Sequence, residues 1–175
     1  MSLTLHSILI PDFVRGLRAL SGVLTKSEAH CTANGLDQSE ITAAKLADDM
    51  FDFSYQVKSV KVHSLGAIEG TEAGSFSPDF STPPTTFAEQ QEMIAQTITA
   101  LEAMPAARVD ALEGRDTEFR FGERAFPYTA EDFLLSFSLP NFYFHLTTAY
   151  DIARWKGVNV GKRDFLGAVR MKKTQ

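Results

Sequence analysis

AEDFLLSFSLPNFYFHLTTAYDIARWKG, residues 130–157, carries the strongest helical pattern in the chain. Leu134, Phe137, Asn141, His145, Thr148 and Ile152 recur at spacings of three and four. They therefore share one face of a long helix, predicted over about Ala130 to Lys156. Gly157 is its natural stop, and Thr129 with Asp132 reads as its cap. Pro140 falls in the middle. It removes one hydrogen bond and crowds the Ser136 carbonyl, so a kink is expected one turn before His145. A helix apolar on one side is half of a core, and the rest of the chain must supply the other half.

The flanking segments do so. Upstream, Phe119 and Phe121 alternate with charged residues, Gly122-Glu123 is a turn, and Phe126 and Tyr128 alternate again. That pattern predicts a short hairpin over Thr117 to Tyr128. Thr86 and Glu89 form a capping box for a helix with Phe87, Ile94, Ile98 and Leu101 on its apolar face, closed by Pro105. Residues 69–84 are rich in Gly, Ser, Thr and Pro and read as a loop. Leu46, Met50, Phe53, Val57 and Val60 mark a further helix, with Asp48 or Asp49 near its start, and a short helix is expected after Asp37. The first helix runs from about Thr4 to about Asn34, interrupted or kinked at Pro11 and stopped at Asn34-Gly35. Four long amphipathic helices predict an all-α four-helix bundle with a short β-hairpin before the last helix. The chain is read as one domain over residues 1–175, its tail (158–175) packing over the bundle or across a dimer.

Composition narrows the function classes. The chain has 175 residues and a net charge of −5, and seven of its basic residues follow Ala153. The first 153 residues carry a net −11, which disfavours nucleic acid as a partner. The basic tail is expected to lie on this acidic body. One cysteine, Cys31, excludes an internal disulfide and any multi-cysteine metal site. No apolar run is long enough for a bilayer, so no membrane role is expected. The opening residues lack a signal-peptide pattern, and a cytoplasmic protein is expected. Phosphate loops, dinucleotide fingerprints and nucleophile elbows are not found.

One constellation could carry chemistry. Asn141 and His145 stand one above the other on the expected inner face of the last helix, beside Phe142, Tyr143 and Phe144. Imidazole is a good ligand for Zn, Ni or Fe, and carboxamide is a poor one. A bundle metal site needs about three converging ligands. His63 lies late on the second helix, about a quarter-turn off its apolar stripe, and Asp49 and Gln56 lie closer to that stripe. The candidate pocket therefore comprises Asn141, His145, Tyr143 and Gln56, with His145 and then His63 as candidate metal ligands.

The stretch DFLLSFSLPNFYFHLTTAYDIARWKGVNVGKRDFLG, residues 132–167, resembles the signature of a bacterial domain-of-unknown-function family, number 1993. The opening MSLTLHSILIPDFVRGLRALSGVL and the segment LADDMFDFSYQV resemble it too. The resemblance implies the fold of the DinB/YfiT-like metalloenzyme superfamily, a helical bundle found as a homodimer. Relatives there include thiol-dependent transferases and isomerases that hold a divalent metal with three histidines, two of them an H-x-x-x-H pair on the last helix. Asn141 and His145 fall on that pair, so one histidine is kept and one replaced, and Gln56 and His63 are both candidates for the remaining ligand. Two functions follow as expectations. The first is a bundle protein with a degenerate metal site at Asn141 and His145, no cofactor, and a polar pocket for a small molecule. The second is a metal-dependent transferase, isomerase or hydrolase-like enzyme with His145 as a ligand. The reaction class stays open.

Overall fold

Several helices begin where a side chain satisfies an orphan backbone N–H. The structure, a computed structural model, describes residues 3–172, so Lys173 of the basic tail lies outside the described residues. Helix α1 spans Leu5–Asn34. The Thr4 hydroxyl accepts the Ser7 N–H at 3.3 Å, and the Ser7 hydroxyl oxygen accepts the Thr4 N–H at 2.8 Å. Gly35, at φ 63°, closes the other end. The expected interruption at Pro11 is not found. The helix runs through it, since a proline two turns in forfeits one bond while the stripe of Leu9, Phe13, Leu17, Leu20 and Leu24 stays fully buried.

The second long helix starts later than expected. Leu46 and Met50 lie in the connection after the short α2 (Ser39–Thr42), and α3 (Phe53–Lys61) begins only where Asp52 accepts the Tyr55 N–H at 2.9 Å. The rod continues through a π-helical turn, Val62–Gly66, into α4 (Ala67–Glu72). It therefore overruns the expected loop start at Glu69. Within the remaining loop, β1 (Ser75–Phe76) pairs parallel to β2 (Asp116–Phe121), which pairs antiparallel with β3 (Arg124–Thr129). The all-α expectation is corrected here: the chain is mostly helical with a three-stranded sheet of order β1-β2-β3. A two-residue strand is too short to leave a period in the sequence.

Helix α5 (Phe87–Glu102) opens with the expected box, the Thr86 hydroxyl accepting the Glu89 N–H at 3.2 Å. A short α6 (Ala106–Asp110) follows. The last helical rod has three parts: α7 (Ala130–Asp132), a second π-helical turn at Phe133–Ser138, and α8 (Leu139–Trp155). The Leu139 N–H reaches back five residues to the Leu134 carbonyl, so the backbone is already in wide register when it meets Pro140. Helix α1 packs on α5 and α8, and α3 packs on α8 and α5. Where α1 crosses α8, a Cβ at Gly16 would lie 2.7 Å from the Phe142 ring.

After Gly157, Val158 and Val160 are buried, and α9 (Lys162–Leu166) lies against α1, tied by Lys26 to Asp164 at 2.7 Å. Among the described residues no helix is long and apolar enough to cross a membrane.

Candidate functional site

The two π-helical turns meet, and the meeting builds the site. His63 lies in the first and Ser138 ends the second. The Ser138 hydroxyl donates to the His63 carbonyl at 3.0 Å and lies 3.4 Å from His63 Nδ1. His63 is 9% exposed, one turn beyond the buried Ser59 and two beyond the buried Gln56, and lies against the rings of Phe76 and Phe137. A π turn inserts an extra residue and rotates everything after it, relative to a 3.6-residue period.

The same rotation on the last rod corrects the expected stripe. Beyond Pro140 the buried face consists of Phe142, Leu146, Ala149, Ile152 and Ala153, together with Thr148. Asn141 and His145 are half-buried on its flank. Asn141 does not pair with His145. Its Nδ2 donates to the Phe137 carbonyl at 2.7 Å, one turn back on its own rod. Tyr143 leaves the pocket altogether: its hydroxyl accepts from Arg15 Nη2 at 2.9 Å, and burial pushes its pKa up.

What the fold brings together is His145, Gln56 and His63. The His63 and His145 rings stack at 5.5 Å between centroids with planes 15° apart. His145 Nδ1 lies 2.7 Å from Gln56 Oε1, and Gln56 Nε2 donates to the Phe51 carbonyl at 2.9 Å. A carbonyl only accepts, so the Gln56 amide has one orientation. Its Oε1 also only accepts, so His145 Nδ1 must carry the proton. At His63, Ser138 has spent its single hydrogen on a carbonyl, so the facing Nδ1 is again the donor. Each neutral ring then carries its lone pair at Nε2.

Both rings are held neutral. Burial pushes the His63 pKa down to about 3, with the charge of His145 adding to it. Burial alone lowers His145 to about 4. Such rings accept hydrogen bonds near neutral pH and are poor proton-transfer groups there. Around them the wall is aromatic. Tyr55 sits 6.5 Å from the His145 ring, stacked on the exposed Phe51, and the exposed Phe144 packs at 5.3 Å. Lys58 fixes that wall: it is 4% exposed, 5.0 Å from the Tyr55 ring, and donates to the Asp79 and Ser81 carbonyls at 2.7 and 2.6 Å.

Sequence periodicity missed Ser138, Tyr55 and Phe51. Ser138 closes the second wide turn, and Tyr55 and Phe51 lie off the stripe of Leu46, Met50, Phe53, Val57 and Val60. A three-histidine metal centre does not fit this donor set. Among the described residues no three His, Cys, Asp or Glu side chains converge, and the position that would give a second imidazole on the last helix holds Asn141, already bonded to a carbonyl.

Comparison with known proteins gives the family and the fold. The profile of the family described as Domain of unknown function (DUF1993) matches residues 5–166, and the chain belongs to that family. A crystal structure of a DinB family member protein from Shewanella denitrificans is similar, with a TM-score of 0.80 and 28% identity. That match covers 97% of this chain and 96% of the other. No curated protein matches.

Proposed function

We propose, with that family membership as the premise, that this chain is a DinB-like protein whose degenerate metal site binds a small polar molecule. Its four longest helical segments are read as a four-helix bundle, and His63, His145 and Gln56 as the binding group. The observation that carries the reading is the stack of two neutral imidazoles at 5.5 Å, each with its Nδ1 turned to a protein acceptor. Two Nε2 lone pairs recognise a molecule that offers N–H or O–H donors, such as an amide or a phenol. The half-buried edge of His145, walled by Tyr55 and Phe144, supports access for a small planar group. Asn141 and Tyr143 take no part in it.

A second reading is favoured by the same proximity: a divalent cation such as Zn, Ni or Fe held by His63 and His145, with solvent filling the remaining positions. This is the reading under which transferase, isomerase or hydrolase-like chemistry would arise. A homodimer in the cytoplasm is part of the proposal and is checked by light scattering and fractionation.

The test uses protein purified without an affinity tag. Metal content is measured first, and phenol and acetamide are then titrated while imidazole nitrogen shifts are followed. The proposal expects no stoichiometric metal, and a saturable shift that is lost in His145→Ala. A stoichiometric metal that disappears in His145→Ala would contradict it and establish the second reading.

A further inference from the structure

A cleft lies away from the imidazole pair, between α1 and the C-terminal segment. It has a volume of about 270 Å³ and is lined by Pro11, Val14, Arg15, Arg18, Ala168 and Arg170. Three guanidinium groups around one cleft are unexpected in a chain of net charge −5. Their charges are thinly balanced. Arg15, 19% exposed at its side chain, gives Nη1 to the Leu166 carbonyl and Nη2 to the Tyr143 hydroxyl, both at 2.9 Å and both neutral. Its nearest carboxylate is Asp12 at 3.6 Å, and Asp12 also faces Arg170 at 3.4 Å. Arg18 has a close partner, Glu102 at 2.6 Å, through one of its nitrogens. Three cations thus meet two carboxylates, one of them shared at long range. The rest of the lining (Pro11, Val14 and Ala168) is apolar.

We propose that this cleft binds a small organic anion: a carboxylate with a short apolar chain. The head lies between Arg18 and Arg170, where a planar guanidinium fork matches a planar carboxylate. The chain lies on Val14, Pro11 and Ala168. The volume is just under the ~300 Å³ at which drug-sized sites begin, so the chain is short. Arg18 belongs to α1 and Arg170 to the C-terminal segment, so the anion clamps that segment to the body.

The test titrates hexanoate into the full chain at low salt and follows backbone amide shifts. Hexanol and inorganic phosphate serve as the uncharged and chain-free arms. Hexanoate should give saturable shifts at Arg18, Ala168 and Arg170, and hexanol none. Phosphate should bind about tenfold more weakly than hexanoate, for want of the apolar chain. Arg18→Gln and Arg170→Gln should each weaken hexanoate by about tenfold. Both side chains are 62% exposed, so the variants keep the fold, and circular dichroism checks that. His63→Leu should leave hexanoate binding unchanged, which separates this site from the imidazole pair. Absence of saturable shifts, equal binding in the Arg18→Gln/Arg170→Gln double variant, or phosphate binding as tightly as hexanoate would each overturn the proposal.

Discussion

Replacing His63 with leucine should flatten the acid dependence of stability. In the folded chain His63 titrates at about 3, against 6.5 for the free ring, because it is buried beside Phe76, Phe137 and His145. The folded value is below the unfolded one, so the unfolded chain binds the proton more readily between these limits. Stability from this group is fully present above about 6.5, and is lost as pH falls from there toward 3. At about pH 4.5, a ring kept neutral while its unfolded counterpart is charged costs about 3 kcal/mol. His145, lowered to about 4, acts in the same direction over the upper part of that window. Leucine fills a similar volume and cannot titrate; it gives up the long 3.4 Å contact with Ser138 Oγ and the ring stack on His145, losses that do not vary with the titration of residue 63. Urea unfolding, followed by far-ultraviolet circular dichroism from about pH 7.5 to about pH 4.5, measures the effect. The His63→Leu variant should lose about 3 kcal/mol less than the parent across that range. Parallel stability curves, differing by less than ~1 kcal/mol throughout, would refute the neutral, buried state of the ring.

Three further outcomes follow from the packing. Gly16→Ala drives a methyl to within 2.7 Å of the fully buried Phe142 ring, and should destabilise the fold by about 1–3 kcal/mol in thermal unfolding. Thr86→Ala removes the acceptor of the Glu89 N–H at the start of α5 and should cost about 1 kcal/mol, while Thr86→Ser should recover most of it. Gln56→Leu takes the acceptor from His145 Nδ1 and should release its ring to the other tautomer, read from imidazole nitrogen shifts, with loss of the small-molecule response.

The fold was legible wherever the helix period ran unbroken. The stripes of α1 and α5, the Thr86–Glu89 box and the β2–β3 hairpin follow from residue types alone. What failed was phase. A period of 3.6 carried through Phe133–Ser138 puts Asn141 and His145 on the inner face, and one wide turn hands that face to Phe142 and Leu146 instead. His63, expected at the edge, is buried because α3 is covered on more than its apolar stripe: Gln56 and Ser59, on the same side, are buried too. Gln56 was within reach of the sequence because it lies close to the α3 stripe. Ser138 and Tyr55 were not, since neither falls on the apolar stripe that the helix period marks. The two-residue β1 left no signal, and its parallel pairing to β2 is fixed only by the tertiary fold.

Two ring protons define the site, and nitrogen-15 correlation spectroscopy of the histidine rings locates them. At neutral pH both His63 and His145 should show the hydrogen on Nδ1 and a bare Nε2, with no titration until pH falls below about 5. A ring that carries its hydrogen on Nε2, or that titrates near the free value of 6.5, would contradict the site described here.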